Sequence, residues 1–136
     1  MIPKIIHYCW LGDSEFPELV KKCIQSWKKK MPDWEFILWD KNCLKDLNSD
    51  WVNEAYSTKK YAFAADYIRL YAVNKFGGFY LDSDVEVLKN FAPLLDSPYI
   101  FALENEIGDI EAATFGSEPN NPYVQKCLSY YEGRHF

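Results

Sequence analysis

The sequence predicts an α/β fold in which a mixed, mainly parallel central sheet is flanked by helices. Three observations predict it. Two short runs of β-branched and aromatic residues, Ile2 to Trp10 and Trp34 to Trp39, enclose a stretch of helical periodicity, which is the pattern of a right-handed βαβ unit. A longer helical stretch, Tyr61 to Phe76, runs into Gly77-Gly78 and then the apolar segment Phe79-Tyr80-Leu81. Beyond it the chain breaks into short alternating segments separated by turn residues, as strands require. At 136 residues, 49% hydrophobic and 18% aromatic, residues 1–136 read as one domain with enough apolar surface for a core.

Taken in order, Ile2 to Trp10 is too short for a helix and has no interior glycine, so it reads as a buried strand that gives out at Leu11-Gly12. Pro17-Glu18 opens a helix that ends before Pro32, with Leu19, Val20, Cys23, Ile24 and Trp27 on its apolar face. Trp34 to Trp39 carries large apolar residues on both faces, which predicts a strand covered from both sides. Asp40 to Asp50 is polar loop and short turn, followed by a brief helix over 51–56. In the helix over 61–76, Ala64, Ile68, Tyr71 and Lys75 share a stripe, and Gly77 is placed to cap it in a left-handed conformation. Val85 to Leu88, Tyr99 to Leu103 and Ala112 to Gly116 read as further strands, Phe91 to Leu95 as a packed turn. Asn121-Pro122 starts a last helix with Val124, Cys127, Leu128 and Tyr131 on its apolar face.

Charge excludes one class of partner. The net charge is −5 and the one dense basic run, Lys28-Lys29-Lys30, closes a helix, where it favours the negative end of the dipole, so a nucleic-acid binder is not expected. The four cysteines form no Cys-x-x-Cys pair and the two histidines stand at opposite ends of the chain, so zinc and redox motifs are absent. Reduced thiols, with neither a signal peptide nor a membrane span, suggest a cytoplasmic location.

The chemistry concentrates in Gly77-Gly78-Phe79-Tyr80-Leu81-Asp82-Ser83-Asp84. In an extended segment Tyr80 and Asp82 share one face while Phe79 and Leu81 bury the other, and Asp84 follows where the strand gives out. Two carboxylates at a strand end suit one hard divalent cation, Mn²⁺ or Mg²⁺, with positions left open for water and phosphate oxygens. A solvated turn is the plainer reading of Asp-x-Asp alone. Upstream, Asp66 and Arg69 are three apart and so neighbours on one helix surface, as a ligand pair or as a strut. Trp10 and Asp40 lie past the carboxyl ends of their strands, where ligands of open parallel sheets bind. An indole there is a stacking plane for a nucleobase or a core residue, and the aspartate a ligand or a helix cap.

Taken together, Ile2-Pro3-Lys4-Ile5-Ile6-His7-Tyr8-Cys9-Trp10-Leu11-Gly12, Ala65-Asp66-x-x-Arg69 and Gly77-Gly78-x-Tyr80-x-Asp82-x-Asp84 resemble the glycosyltransferases with a sugar-binding region containing an Asp-x-Asp motif. These form family 32 of the sequence classification, which includes bacterial capsular-polysaccharide and fungal mannosyl transferases and is distantly similar to clostridial toxin glucosyltransferase domains. The resemblance implies a GT-A-like nucleotide-binding fold. It also implies transfer of a hexose from a UDP- or GDP-sugar to a glycan or lipid-linked acceptor, with retention of configuration. Peripheral membrane association is compatible with such an acceptor. Asp82 and Asp84 become the catalytic, metal-holding pair, with Asp84 the direct ligand. Asp66, Arg69 and Tyr80 serve the donor sugar and phosphates, and Trp10, with His7 on the same strand, serves the nucleobase. Family members run on past Phe136, so the resemblance also implies either a C-terminally truncated chain or an unusually short member.

No residue presents itself from composition or spacing as a nucleophile. Two rivals stay beside this reading: a metal-dependent phosphohydrolase, which usually gathers more carboxylates and histidines, and an inactive sugar-nucleotide-binding module.

Overall fold

The computed structural model describes residues 1–136. Its elements follow in chain order as β1 (Ile5–Cys9), α1 (Glu18–Lys30), β2 (Glu35–Trp39), α2 (Leu44–Leu47), α3 (Asp50–Ser57), α4 (Tyr61–Phe76), β3 (Gly78–Leu81), β4 (Tyr99–Leu103), β5 (Ile110–Ser117) and α5 (Pro122–Ser129). The strands form one sheet in the order β2-β1-β3-β5-β4. β1 runs parallel to β2 and β3, whereas β5 runs antiparallel to β3 and β4, so the sheet is mixed with an antiparallel half as large as the parallel one.

Strand alternation sorts the core into two layers. Ile6 and Tyr8 of β1 and Phe79 and Leu81 of β3 face α1, whose Val20, Ile24 and Trp27 complete one cluster. His7 and Tyr80 point to the opposite face, where α4 lies with Ala64, Ile68, Ala72 and Val73. Helices therefore cover both faces, as the apolar runs require.

The departures from expectation have local causes. Leu19 is exposed because the buried stripe of α1 is Val20, Cys23, Ile24 and Trp27. β2 is an edge strand whose Phe36 packs into one layer and whose Ile37 and Trp39 pack into the other, so both faces are covered as expected, while Leu38 is left exposed at the edge. The buried side of α4 comprises Ala64, Ala65, Ile68, Arg69, Ala72 and Val73, while Lys75 is exposed, because this helix packs between the sheet and both α3 and α5. Gly77 stops α4 at φ +68° but with ψ −177°, which is not the left-handed helical conformation. Its N–H still donates to the Val73 carbonyl at 2.8 Å, and the extended ψ sends the chain straight into β3.

Val85 to Leu88 pairs with no strand. Its alternation of exposed Glu86 and Leu88 with buried Val87 persists because the segment lies along α1. The Trp27 indole N–H donates to the Val85 carbonyl at 2.7 Å, and the Val87 N–H donates to Ser26 Oγ at 2.9 Å. Side chains of a helix thus satisfy backbone groups that a neighbouring strand would otherwise have taken.

His7 ties the parallel half together from inside. A Trp indole can only donate, so the 3.1 Å bond from Trp39 Nε1 makes His7 Nδ1 the acceptor and puts the proton on Nε2, which donates to the Gly77 carbonyl at 2.9 Å. Burial lowers the His7 pKa, and the bond to Gly77 opposes it only in part. A proton added at Nδ1 would face the Trp39 donor, so the folded state resists protonation. Because the folded pKa lies below the unfolded value, this contribution to stability is complete above about pH 6.5 and is lost as pH falls below it. Urea unfolding is expected to show stability declining below that pH, with a slope approaching ~1.4 kcal/mol per unit. The measurement belongs in a His135→Asn background, since the exposed His135–Glu54 pair raises the His135 pKa and acts with opposite sign. A flat profile over pH 5 to 7 would refute the neutral bridge.

Candidate functional site

The site forms where the parallel strands end. The carboxyl ends of β1, β2 and β3 lie along one edge of the sheet and deliver Trp10, Asp40 and Asp82 to it. Because β5 is antiparallel to β3, with Leu81 opposite Thr114, its amino-terminal half arrives at that same edge. The Asp82 N–H donates to the Ala113 carbonyl at 2.8 Å, and the Val85 N–H donates to the Asp82 carbonyl at 3.0 Å. The chain turns there, leaving Asp82 half-buried and Asp84 in solvent.

Arg69 gathers the rest. Its guanidinium, held over the Tyr80 ring at 4.8 Å, donates from Nε to the Ala65 carbonyl at 3.2 Å and from Nη1 to the Ala112 carbonyl at 2.6 Å. Two carboxylates flank it, Asp66 Oδ1 at 3.4 Å from Nη2 and Asp82 Oδ1 at 3.5 Å from Nη1. Those separations exceed the roughly 2.7–2.9 Å of a charge-assisted hydrogen bond. Arg69 therefore offsets the two charges without consuming the carboxylate lone pairs, which stay open to hydroxyls or a cation. The arginine is held by backbone carbonyls and the aspartate remains half-exposed, a geometry that suits a strut and a ligand pair alike.

Crowding shows in the proton affinities. Burial raises the Asp82 pKa, with Arg69 and a hydrogen bond from Tyr80 pulling it back and the charges of Asp84 and Glu111 pushing it up. Asp66 is raised by burial, opposed by Arg69 and reinforced by Asp82. Cys9, behind this group, has its thiol pushed up to about 12 by burial, and Cys43 is pushed up to about 11 for the same reason. Both stay protonated at neutral pH, and so neither is an activated nucleophile.

The structure bears on two expected roles. His7 is fully buried between Trp39 and the Gly77 turn and offers no ring face to a nucleobase, because alternation along β1 sends it to the α4 side and Trp10 to the other. Tyr80 is 2% exposed, with its ring beneath the Arg69 guanidinium, the placement of a tyrosine wedged in the core, and its hydroxyl is close enough to Asp82 to pull that carboxyl's pKa down. Trp10 is half-buried, its Nε1–H donating to the Ser14 carbonyl at 3.0 Å and its ring set edge-on to Phe16 at 84°. It lines a cavity of about 570 Å³ together with Asp40 and Lys41. Asp40 also caps the turn over Lys41–Cys43 by accepting the Asn42 N–H at 2.9 Å, so cap and rim are both its positions.

A second cavity, also of about 570 Å³, opens between α4, β4, β5 and α5, with Asp66 and Arg69 on its wall beside Glu111, Tyr123 and Lys126. Glu111 escaped the sequence reading because no local pattern marks it. Only the β3–β5 pairing carries it to this edge.

No group of three or more His, Cys, Asp or Glu is arranged to hold a metal ion by itself. Asp82 and Asp84 are hard oxygen donors on one turn, a set that fits Mn²⁺ or Mg²⁺ when a ligand's phosphates and water complete the sphere.

Residues 17–101 match the family described as "Glycosyltransferase sugar-binding region containing DXD motif". The chain is 31% identical over 136 residues to inositol phosphoceramide mannosyltransferase 2 of Schizosaccharomyces pombe, covering 97% of this chain and 39% of that protein. It is 30% identical over 132 residues to the mannosyl phosphorylinositol ceramide synthase SUR1 of Saccharomyces cerevisiae, covering 94% of this chain and 34% of that protein. The chain thus spans little more than a third of either relative. Among solved structures, PaToxG glycosyltransferase superposes with a TM-score of 0.77 at 21% identity, covering 98% of this chain and 63% of that one. That likeness shows the fold, a GT-A-like α/β sheet between helices.

Proposed function

The chain belongs to the glycosyltransferases whose sugar-binding region contains a DXD motif, and on that premise we propose that it transfers a hexose from a nucleotide-sugar donor to a glycan or lipid-linked acceptor. The observation that carries the reading is the convergence on Arg69 of Asp66 at 3.4 Å and Asp82 at 3.5 Å, beside the exposed Asp84. Carboxylates with free lone pairs suit sugar hydroxyls, and the turn at Asp82–Asp84 suits a cation-bound diphosphate.

A divalent cation bound there supplies Lewis-acid stabilisation of the nucleoside-diphosphate leaving group. The chain's own residues do the positioning. Asp66 accepts from hydroxyls of the donor hexose, Arg69 fixes the carboxylates, and Trp10 offers a plane for the base. Transfer with retention belongs to the same reading. The names of the two yeast relatives make mannose the first hexose to test and an inositol-phosphate-bearing lipid the first acceptor. Peripheral contact with such a lipid belongs to the same reading; no helix of residues 1–136 is long and apolar enough to cross a membrane.

The test incubates the protein with Mn²⁺ and a panel of UDP- and GDP-sugars, reading thermal shift and nucleoside-diphosphate release. One sugar nucleotide is expected to stabilise the protein and release its diphosphate. Turnover of the bare nucleoside diphosphate would favour a phosphohydrolase instead. In the same assay, Asp66→Asn is expected to weaken the intact nucleotide sugar about 10-fold while the nucleoside diphosphate binds as before, since about 1.4 kcal/mol of charged hydrogen bonding is lost. An unmoved ratio of the two dissociation constants would remove Asp66 from sugar recognition.

A further inference from the structure

Asp66 and Arg69 occupy only one part of the cavity between α4 and α5. At about 570 Å³ it has the liquid volume of roughly 19 waters, more than one hexose displaces. The rest of its wall is largely hydrophobic and rich in aromatic rings, with two charged side chains set into it. Phe101 and Tyr123 stand with ring centroids 5.2 Å apart, and Tyr123 is half-exposed. Glu111 and Lys126 line the same space. Glu111 Oε1 accepts the Ala113 N–H at 2.7 Å, which fixes the carboxyl group and leaves its second oxygen available.

We propose that this cavity binds the sugar ring of the acceptor, stacked on Phe101 and Tyr123, with Glu111 and Lys126 taking its hydroxyls. The proposal rests on the glycosyltransferase reading and names the substrate class of its second half-site. Chemistry selects a sugar over an acyl chain. With Asp66 and Arg69 turned to the donor, a chain would strip water from Glu111 and Lys126 and give them no partners, a cost for each unpaired group. A pyranose satisfies them along its hydroxyl edge while its C–H face meets the electron-rich ring faces. The two charge signs on the wall also match hydroxyls, which both donate and accept, better than a headgroup of one sign.

The experiment is saturation-transfer NMR with the wild-type chain and Mn²⁺, titrating methyl α-mannopyranoside and methyl α-glucopyranoside. Dodecylphosphocholine serves as an acyl-chain probe below its micelle concentration. Nucleoside-diphosphate affinity is measured alongside. A glycoside is expected to bind and to remain bound when a nucleotide sugar saturates the donor site. Tyr123→Ala and Glu111→Gln are each expected to weaken it at least 10-fold, Tyr123→Phe to retain it, and nucleoside-diphosphate affinity to move less than twofold in all three. Displacement by the nucleotide sugar, binding of the acyl-chain probe alone, or variants that bind the glycoside like wild type would each overturn the proposal. If the nucleoside diphosphate binds and no glycoside does, the acceptor cavity falls and the donor reading stands. If glycosides bind with the stated variant pattern but the nucleoside diphosphate does not, the donor reading falls and the sugar cavity stands.

Discussion

Replacing Asp84 by Asn is expected to weaken cation-dependent binding of a nucleoside diphosphate by roughly 100-fold, or about 2.7 kcal/mol. Asparagine keeps the shape of the side chain and removes half of the carboxylate charge on the turn. Asp84 is the informative member of the pair because it is exposed and has no salt-bridge partner, so its loss leaves the fold unaltered. Asp82→Asn changes more than one thing, since Asp82 also faces Arg69 and Tyr80. Calorimetry with Mn²⁺, repeated in EDTA, reads the effect directly. Binding should also fade on acidification at a higher pH than for an ordinary aspartate, because burial raises the Asp82 pKa and a protonated carboxyl group no longer holds a cation. Equal affinity for wild type and variant, with EDTA making no difference, would sink the metal role of the motif.

The largest expected stability effect sits a few residues earlier. Gly78 adopts φ +102°, and a Cβ built there would lie 2.6 Å from the Ile5 carbonyl oxygen and 2.8 Å from Ile5 Cβ. Relief would require moving backbone where β3 meets β1, in the middle of the sheet. Gly78→Ala therefore combines a disfavoured φ, at roughly 1–3 kcal/mol, with overpacking of about 1–3 kcal/mol more. A loss of about 2–6 kcal/mol is expected by urea denaturation, enough to unfold much of a marginal domain. Gly108, with φ +103° and nothing within 4 Å of a built Cβ, is the control: its alanine variant carries only the conformational part. Equal losses at the two positions would show that close approach to β1 is not what demands glycine at 78.

Much of the site was legible because its residues come in short, self-contained patterns. The helix stop at Gly77 followed by a period-two strand placed Asp82 and Asp84 at a strand end, and the i, i+3 spacing made Asp66 and Arg69 neighbours. The same alternation separates His7 from Trp10 on opposite faces of β1, so the nucleobase role given to His7 was open to correction from the pattern itself. Tyr80 was harder, since a tyrosine beside a carboxylate reads alike whether it is wedged in the core or reaching for phosphate. Its place beneath Arg69 depends on how α4 lies across β3.

What the sequence by itself determined is local: which stretches are helix or strand, where α4 must stop, and which carboxylates share a turn or a helix face. Periodicity, glycine and caps act over a few residues, and their physics is complete within that span. What the tertiary structure decided is the antiparallel insertion of β5 beside β3, and with it the Ala112 carbonyl that grips Arg69 and the arrival of Glu111 at the rim. It also decided that β2 is an edge, and that Val85 to Leu88 leans on α1 without a partner strand. Strand order depends on contacts between residues far apart in the chain, where burying apolar surface must exceed the entropy of closing long loops. No window of neighbouring residues contains that balance.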